Sequence, residues 1–234
     1  AGIGGGREGN GENIEIFGSA RVTAKGGDSA AGIGGGGHEF SEEGGNGKNI
    51  KIAGSARVIA KGGEFAAGIG GGGRGNGENI EISGSTTVNA TGGNGEIVFC
   101  DRDKYKGGAG IGGGNEGYGL NISITDKATV IARGGNGAAG IGGGHRGNGS
   151  NITISGNPTI RVTSGEYGVG FGSGFGAIGE SKTTITGEPT ITILNCRPFR
   201  DMPDLTNDNC DIYLNDKICD LNNDIFTRSA AKFE

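Results

Sequence analysis

The densest ionic cluster ahead of the C-terminal tail is Asp101, Arg102, Asp103, Lys104 and Tyr105, in the stretch EIVFCDRDKYKGG. Two carboxylates beside two cations are what a polysaccharide lyase or hydrolase uses, one group moving a proton and another steadying developing charge. On that reading Asp101 and Asp103 would carry turnover. The competing reading, a charged loop packed through Cys100, is preferred because no strand of the chain carries a column of Asp, and no residue is given a catalytic role. The only two histidines, His38 and His145, each follow a glycine run far apart, so neither a shared metal nor a Ser, His and Asp triad can be assembled from them.

Metal and cofactor motifs fail on single residues. Gly44-Gly45-Asn46-Gly47-Lys48-Asn49 approaches the calcium nonapeptide GGxGxDxUx, but Asn49 replaces the ligand Asp and Lys51 takes the apolar position. Matches to GxGxxG have no strand-to-helix setting, and Gly47-Lys48-Asn49 lacks the hydroxyl of a phosphate-binding loop. Asp204, Asp208, Asp211, Asp216, Asp220 and Asp224 show no EF-hand spacing and read as solvated turns. No metal and no cofactor is expected, and the chain is read as not an enzyme. Cys100, Cys196, Cys210 and Cys219 are disulfide candidates with three possible pairings and no zinc spacing. Asn89, Asn121, Asn148 and Asn151 open N-x-S/T sequons.

These residues hang on a repeat. AGIGGG begins at Ala1, Ala31, Ala67, Ala109 and Ala139, and a degraded copy, YGVGFG, begins at Tyr167. The fixed period of about thirty residues marks a stacked architecture. Each unit holds a strictly alternating strand, at 13–16, 49–52, 79–82, 121–124 and 151–154. A second strand follows, with Ala20, Val22 and Ala24, or Ala56, Val58 and Ala60, on one side. The AGIGGG segment supplies a third extended side, with Ile3, Ile33, Ile69, Ile111 and Ile141 at equivalent places. Three short sides separated by Gly or Asn predict an all-β, three-sided parallel β-helix of about six coils, ~4.8 Å apart and roughly 30 Å long. The register it implies puts Glu15, Lys51 and Glu81 in one outer column and Glu12, Lys48 and Glu78 in another, with Asn13 to Asn151 as a corner ladder. Arg21 and Arg57 then stack like on like. Strand alternation carried into AGIGGG points Gly2, Gly4, Gly6 and their equivalents outward, as a nearly bare backbone face suited to self-association.

All 57 glycines lie at or before Gly187, so the array is placed at 1–195 and a Cys-containing acidic cap or tail at 196–234. The tail is expected to form either an amphipathic helix near 211–227 or a strand starting at Ile212 and Leu214. Insertions at 38–45 and 96–108 are assigned to loops. The net charge is −5, with a mild negative balance in both parts, which argues against nucleic acid. No long apolar run suggests membrane insertion, and Ala1 opening a repeat directly suggests a fragment or processed product.

The order AGIGGG, GNG, NIxI, a VxA strand and GG, over residues 1 to about 165, resembles the glycine-rich repeats of large surface proteins of gut and soil bacteria. That resemblance implies an extracellular or cell-surface, adhesin-like or carbohydrate-binding role without catalysis. The expected partners are other copies of the chain or a larger parent protein, with polysaccharide as the alternative. A sugar would lie beside Thr87 and Asn89, near Thr91 and Thr129, with Tyr105, Tyr118 and Tyr167 as stacking residues. An ice- or mineral-binding side is set aside for want of regularly spaced Thr.

Overall fold

The computed structural model describes residues 1–38, 44–95 and 106–194 in full, and the backbone of strands Arg197–Phe199, Asp204–Leu205, Asp211–Leu214 and Lys217–Cys219. The described secondary structure is all β, wound as a three-sided parallel β-helix. Its three sheets hold seven, seven and eight strands, and each strand but Lys217–Cys219 pairs in parallel with its counterparts in the neighbouring coils. The glycine side stacks Ile3–Gly4, Ile33–Gly34, Ile69–Gly70, Ile111–Gly112, Ile141–Gly142 and Val169–Gly172. The asparagine side begins with Gly11–Ile16 and Gly47–Ile52, and the third side with Arg21–Lys25 and Arg57–Lys61.

Alternation fixes the core. Ile50, Ile52, Ile80, Ile82, Ile122, Ile124, Ile152 and Ile154 face inward from the asparagine side and are fully buried. Val58, Val88, Val130 and Ile160, with Ala60, Ala90, Ala132 and Val162, do so from the third side, and the Ile33 to Ile141 column closes the triangle. Each buried Ile contributes about 1.5–3 kcal/mol. Small residues opposite large ones let a core one side chain wide fill with neither Trp nor a central aromatic column.

Two corners are set by backbone that few residue types tolerate. Asn13, Asn49, Asn79, Asn121 and Asn151 sit at φ 53–57° within the asparagine-side strands, a left-handed conformation that Asn accepts better than most. The corner into the third side has positive φ at Gly18, Gly54, Gly84, Asp126, Gly156 and Gly187.

The glycine side departs from the outward bare face expected of it. Residues 31–36 are buried throughout, as are their counterparts in later coils. A Cβ on Gly32 would press on the backbone of Gly68 and Lys61, and one on Gly36 would strike the carbonyl of Gly6. The turns on either flank fold over the segment and join: Gly73 N donates to Ser29 O at 2.7 Å, Asn115 N to Phe65 O at 2.6 Å and Phe175 N to Gly137 O at 2.7 Å. Glycine is needed because backbone packs on backbone in two layers. Only in the first coil are Gly2, Gly4 and Gly6 exposed, and there they belong to the end of the rod.

Both insertions leave the register intact. Gly45 N closes on Gly36 O, as Gly75 N closes on Gly72 O, and Gly108 N closes on Gly93 O. Beyond residue 194 the sheets continue. Asp211–Leu214 pairs in parallel with Thr190–Leu194, and Lys217–Cys219 then pairs antiparallel with Asp211–Leu214. These stretches are strands, so the helical alternative for the tail does not hold there.

Candidate functional site

Most sequence-derived candidates are not gathered at one place. Thr87 and Asn89 lie on the same strand of the third side, where Asn89 Oδ1 accepts from Arg133 Nη1 at 3.1 Å. Tyr118 stands at the corner that enters the asparagine side, 43 % exposed, its N–H donating to Asn76 Oδ1 at 2.8 Å. Tyr167 belongs to the turn leaving the third side, at the other flank of the glycine side. Tyr105, Asp101, Asp103, Cys100, Cys196 and Cys210 lie outside the described residues, as does the side chain of Cys219. Among the described residues no group of three His, Cys, Asp or Glu is placed to hold a metal ion.

What stands beside Tyr167 was not legible beforehand. Its ring is tilted against that of Phe175 with centroids 5.6 Å apart, and Phe175 stacks on His145 at 6.4 Å. His145 is buried, with Nδ1 3.2 Å from Asn115 Oδ1 in the coil before. Successive turns place Asn115, His145 and Phe175 in one column, so His145 and Phe175 meet although thirty positions apart, and Tyr167 reaches Phe175 from the turn on the other flank. His38 lies in the corresponding turn of the second coil, one position beyond that column, with Nε2 3.1 Å from Glu8 Oε1.

Charge is ordered in columns. Lys51 Nζ lies 3.0 Å from Glu81 Oε1 and Lys48 Nζ 3.5 Å from Glu78 Oε2, as the alternation of sign requires. The turn column adds Arg74 and Glu116 at 3.4 Å. The third side does otherwise: Arg21 pairs with Arg57 and Lys25 with Lys61. Above them Thr87, Thr129, Thr159 and Thr190 stand in register in four consecutive coils, a regular Thr column that inspection of the sequence had denied.

The end of the rod is the other distinctive place. Ile3 is 36 % exposed, whereas Ile33, Ile69, Ile111 and Ile141 are 0 % exposed. Ile14, Ala20 and Val22 are only partly buried, unlike their counterparts above. An open, shallow pocket of about 400 Å³ lies beside this end, lined by Glu15, Ile16, Phe17, Lys51 and Ala53, with Phe17 69 % exposed. Coil 1 therefore combines an apolar centre, a strand edge and the acidic side chains of Glu12 and Glu15.

Comparison with family models, with curated proteins and with solved structures gave no match to this chain.

Proposed function

We propose that this chain is a non-enzymatic structural or adhesive element that works outside the cell or at its surface and self-associates through the ends of its β-helix. The partner is another copy or a larger parent protein. The observation that carries the reading is the stacked architecture: three sheets whose parallel strands pair in register from coil to coil around the sealed column of Ile33, Ile69, Ile111 and Ile141. Unpaired strand edges at the end of such a stack template pairing with further strands. Gly2, Gly4 and Gly6 take part as members of that end rather than as a flat lateral face.

Sedimentation velocity across a concentration series, with negative-stain images of the same samples, tests the reading. Association that weakens when Ile14 is replaced by Asp is the expected result. A chain that stays monomeric at all concentrations and binds no apolar dye at its end would sink it.

A second reading, carbohydrate binding, is favoured by one observation: the in-register column of Thr87, Thr129, Thr159 and Thr190 with Asn89 alongside. Retention on polysaccharide columns that is lost in Thr129→Val would support it.

A further inference from the structure

We infer that the outer face of the third side is a docking surface for an acidic polysaccharide of the uronate kind, a linear polymer with carboxylates spaced among free hydroxyls. The inference rests on the carbohydrate-binding reading and names the class of sugar.

The first ground is an excess of one charge on one face. From Arg21–Lys25 to Thr190–Leu194, the outward positions of the third-side strands hold Arg21, Lys25, Arg57, Lys61, Arg133 and Arg161, and no carboxylate. All of these cations are exposed, on a chain whose net charge is −5. Among the described residues Arg21, Lys25, Arg57, Lys61 and Arg161 form no ion pair, and Arg133 donates to Asn89 Oδ1. The flanking carboxylates lie beyond the strand ends. Asp126 Oδ2 accepts from Gly84 N and Glu188 Oε2 from Asn157 Nδ2 at the entering corner, while Asp28, Glu64 and Glu166 belong to the turns that leave.

The second ground is how the cations stack. Arg21 is in register with Arg57 and Lys25 with Lys61, one coil or ~4.8 Å apart. Like charges set opposite each other on neighbouring strands destabilise a sheet. The asparagine side of the same two coils avoids this, since Glu12 meets Lys48 and Glu15 meets Lys51. A carboxylate lying over either cationic column would turn the repulsion into a bridge, and the Arg fork can give it two parallel N–H bonds.

The third ground is what surrounds the charge. Beyond the second coil the face becomes mostly hydroxyl and amide: Thr87, Thr129, Thr159 and Thr190 form one column and Asn89 lies in the next, with Arg133 and Arg161 as isolated cations. Such groups both donate to and accept from sugar hydroxyls. Ile59, 53 % exposed, and Ile131 share the middle column with Asn89 and offer apolar surface to the ring faces. Sparse cations among hydroxyls match a polyuronate. Duplex nucleic acid carries one charge per ~1.7 Å of axis and would leave most phosphates unmatched here. The described side chains of this face include no aromatic ring on which a base could stack.

The test measures binding of the full chain to polygalacturonate by calorimetry, beside neutral dextran, dextran sulfate of equal charge per sugar, duplex DNA and phosphatidylserine vesicles. Polygalacturonate should bind at least about tenfold tighter than each of the others, and weaken roughly tenfold or more between 50 and 200 mM NaCl as counterions compete. Arg57→Gln with Lys61→Gln should weaken it by at least about tenfold. Lys48→Gln with Lys51→Gln, which removes the same charge from the asparagine side, should leave the affinity within about twofold. Without polymer, the Arg57 and Lys61 variant should melt no lower than the parent, because two like-charge contacts are relieved. A lower Tm would assign those residues to the fold and overturn their docking role. Equal binding of dextran and polygalacturonate, untouched by Arg57→Gln with Lys61→Gln, overturns the acidic class while carbohydrate binding stands. Binding to none of the polysaccharides removes both. Equal or tighter binding of dextran sulfate, DNA or vesicles overturns the uronate assignment.

Discussion

Asn49 donates from Nδ2 to Oδ1 of Asn13, 3.0 Å away and 36 residues earlier in the chain, and the bond repeats from Asn79 to Asn49, from Asn121 to Asn79 and from Asn151 to Asn121. Each amide accepts from the coil above and donates to the coil below, at a backbone conformation that Asn tolerates. Replacing Asn79 by Ala removes two ladder bonds and adds left-handed strain, a loss of about 2–3 kcal/mol. Asn79→Gly keeps the conformation and loses only the bonds, so it should cost about half as much. Urea melts of the two variants decide: equal losses would mean that the ladder, not the backbone, dominates.

The glycine side predicts a sharp contrast between positions. Gly34 has φ 128° and a Cβ there would strike the carbonyl of Gly70, whereas Gly18 has φ 66° with open space around its missing Cβ. Gly34→Ala should therefore cost more than about 4 kcal/mol or prevent folding, against about 1 kcal/mol for Gly18→Ala. Circular dichroism and expression level of the pair measure it. Similar stability of the two would refute the two-layer packing.

These glycines also explain why that side was misread. Strict alternation in NIxI identified the inward isoleucines, the charge columns and the Asn13 ladder, because ordinary strands obey a two-residue period. AGIGGG does not obey it. Positive φ at Gly4 and consecutive N–H groups pointing one way break the period, and a sequence shows neither. The second ladder, of Asn10, Asn46 and Asn76 bonding to the next backbone N–H, had a visible signal in the repeated GNG, but the bond runs to backbone and leaves no paired residue type to notice. The Thr column was hidden by the insertion between Thr87 and Thr129, which alters spacing along the chain and not the register.

Thr86 is the one described buried side chain with an unpartnered polar atom, its Oγ1, in a column that elsewhere holds Ala20, Ala56 and Ala128. Thr86→Val keeps the shape and removes the hydroxyl, so it should stabilise by about 1 kcal/mol. A raised urea midpoint with unchanged m-value is the expected observation. A lowered midpoint would show that the hydroxyl has a partner, such as a water, in solution.

The charge columns should matter only at low salt. Lys51→Glu sets three carboxylates in a row with Glu15 and Glu81 and should cost about 1 kcal/mol, most of it recovered in 1 M NaCl. Lys51→Gln, which removes the attraction without adding repulsion, should lose no more than about half of that. A salt-independent loss in Lys51→Glu would point instead to packing of the lysine stem.

The GNG corners carry a chemical prediction as well. Asn followed by Gly deamidates when the glycine nitrogen attacks the Asn side-chain carbonyl, and the chain has such pairs at Asn46-Gly47 and Asn76-Gly77. In the fold Gly47 N donates to Asn76 O at 2.8 Å and Gly77 N to Tyr118 O at 2.8 Å, while the Asn46 and Asn76 side-chain oxygens accept from Asn76 N and Tyr118 N. Both the nucleophile and the electrophile are thereby held in bonds between coils, and reaction needs the coils to part. Deamidation should then track local opening and run at least about tenfold slower in the native chain than in the urea-unfolded chain. Peptide mass spectrometry after incubation at pH 8.5 compares the two. Asn10-Gly11, whose Asn10 N–H faces the open end, should be the faster of the ladder sites, and coil 1 should slow to the rate of its neighbours once a further coil covers it. Uniform rates across Asn10, Asn46 and Asn76 in the native chain would mean that coil 1 opens no more often than the interior.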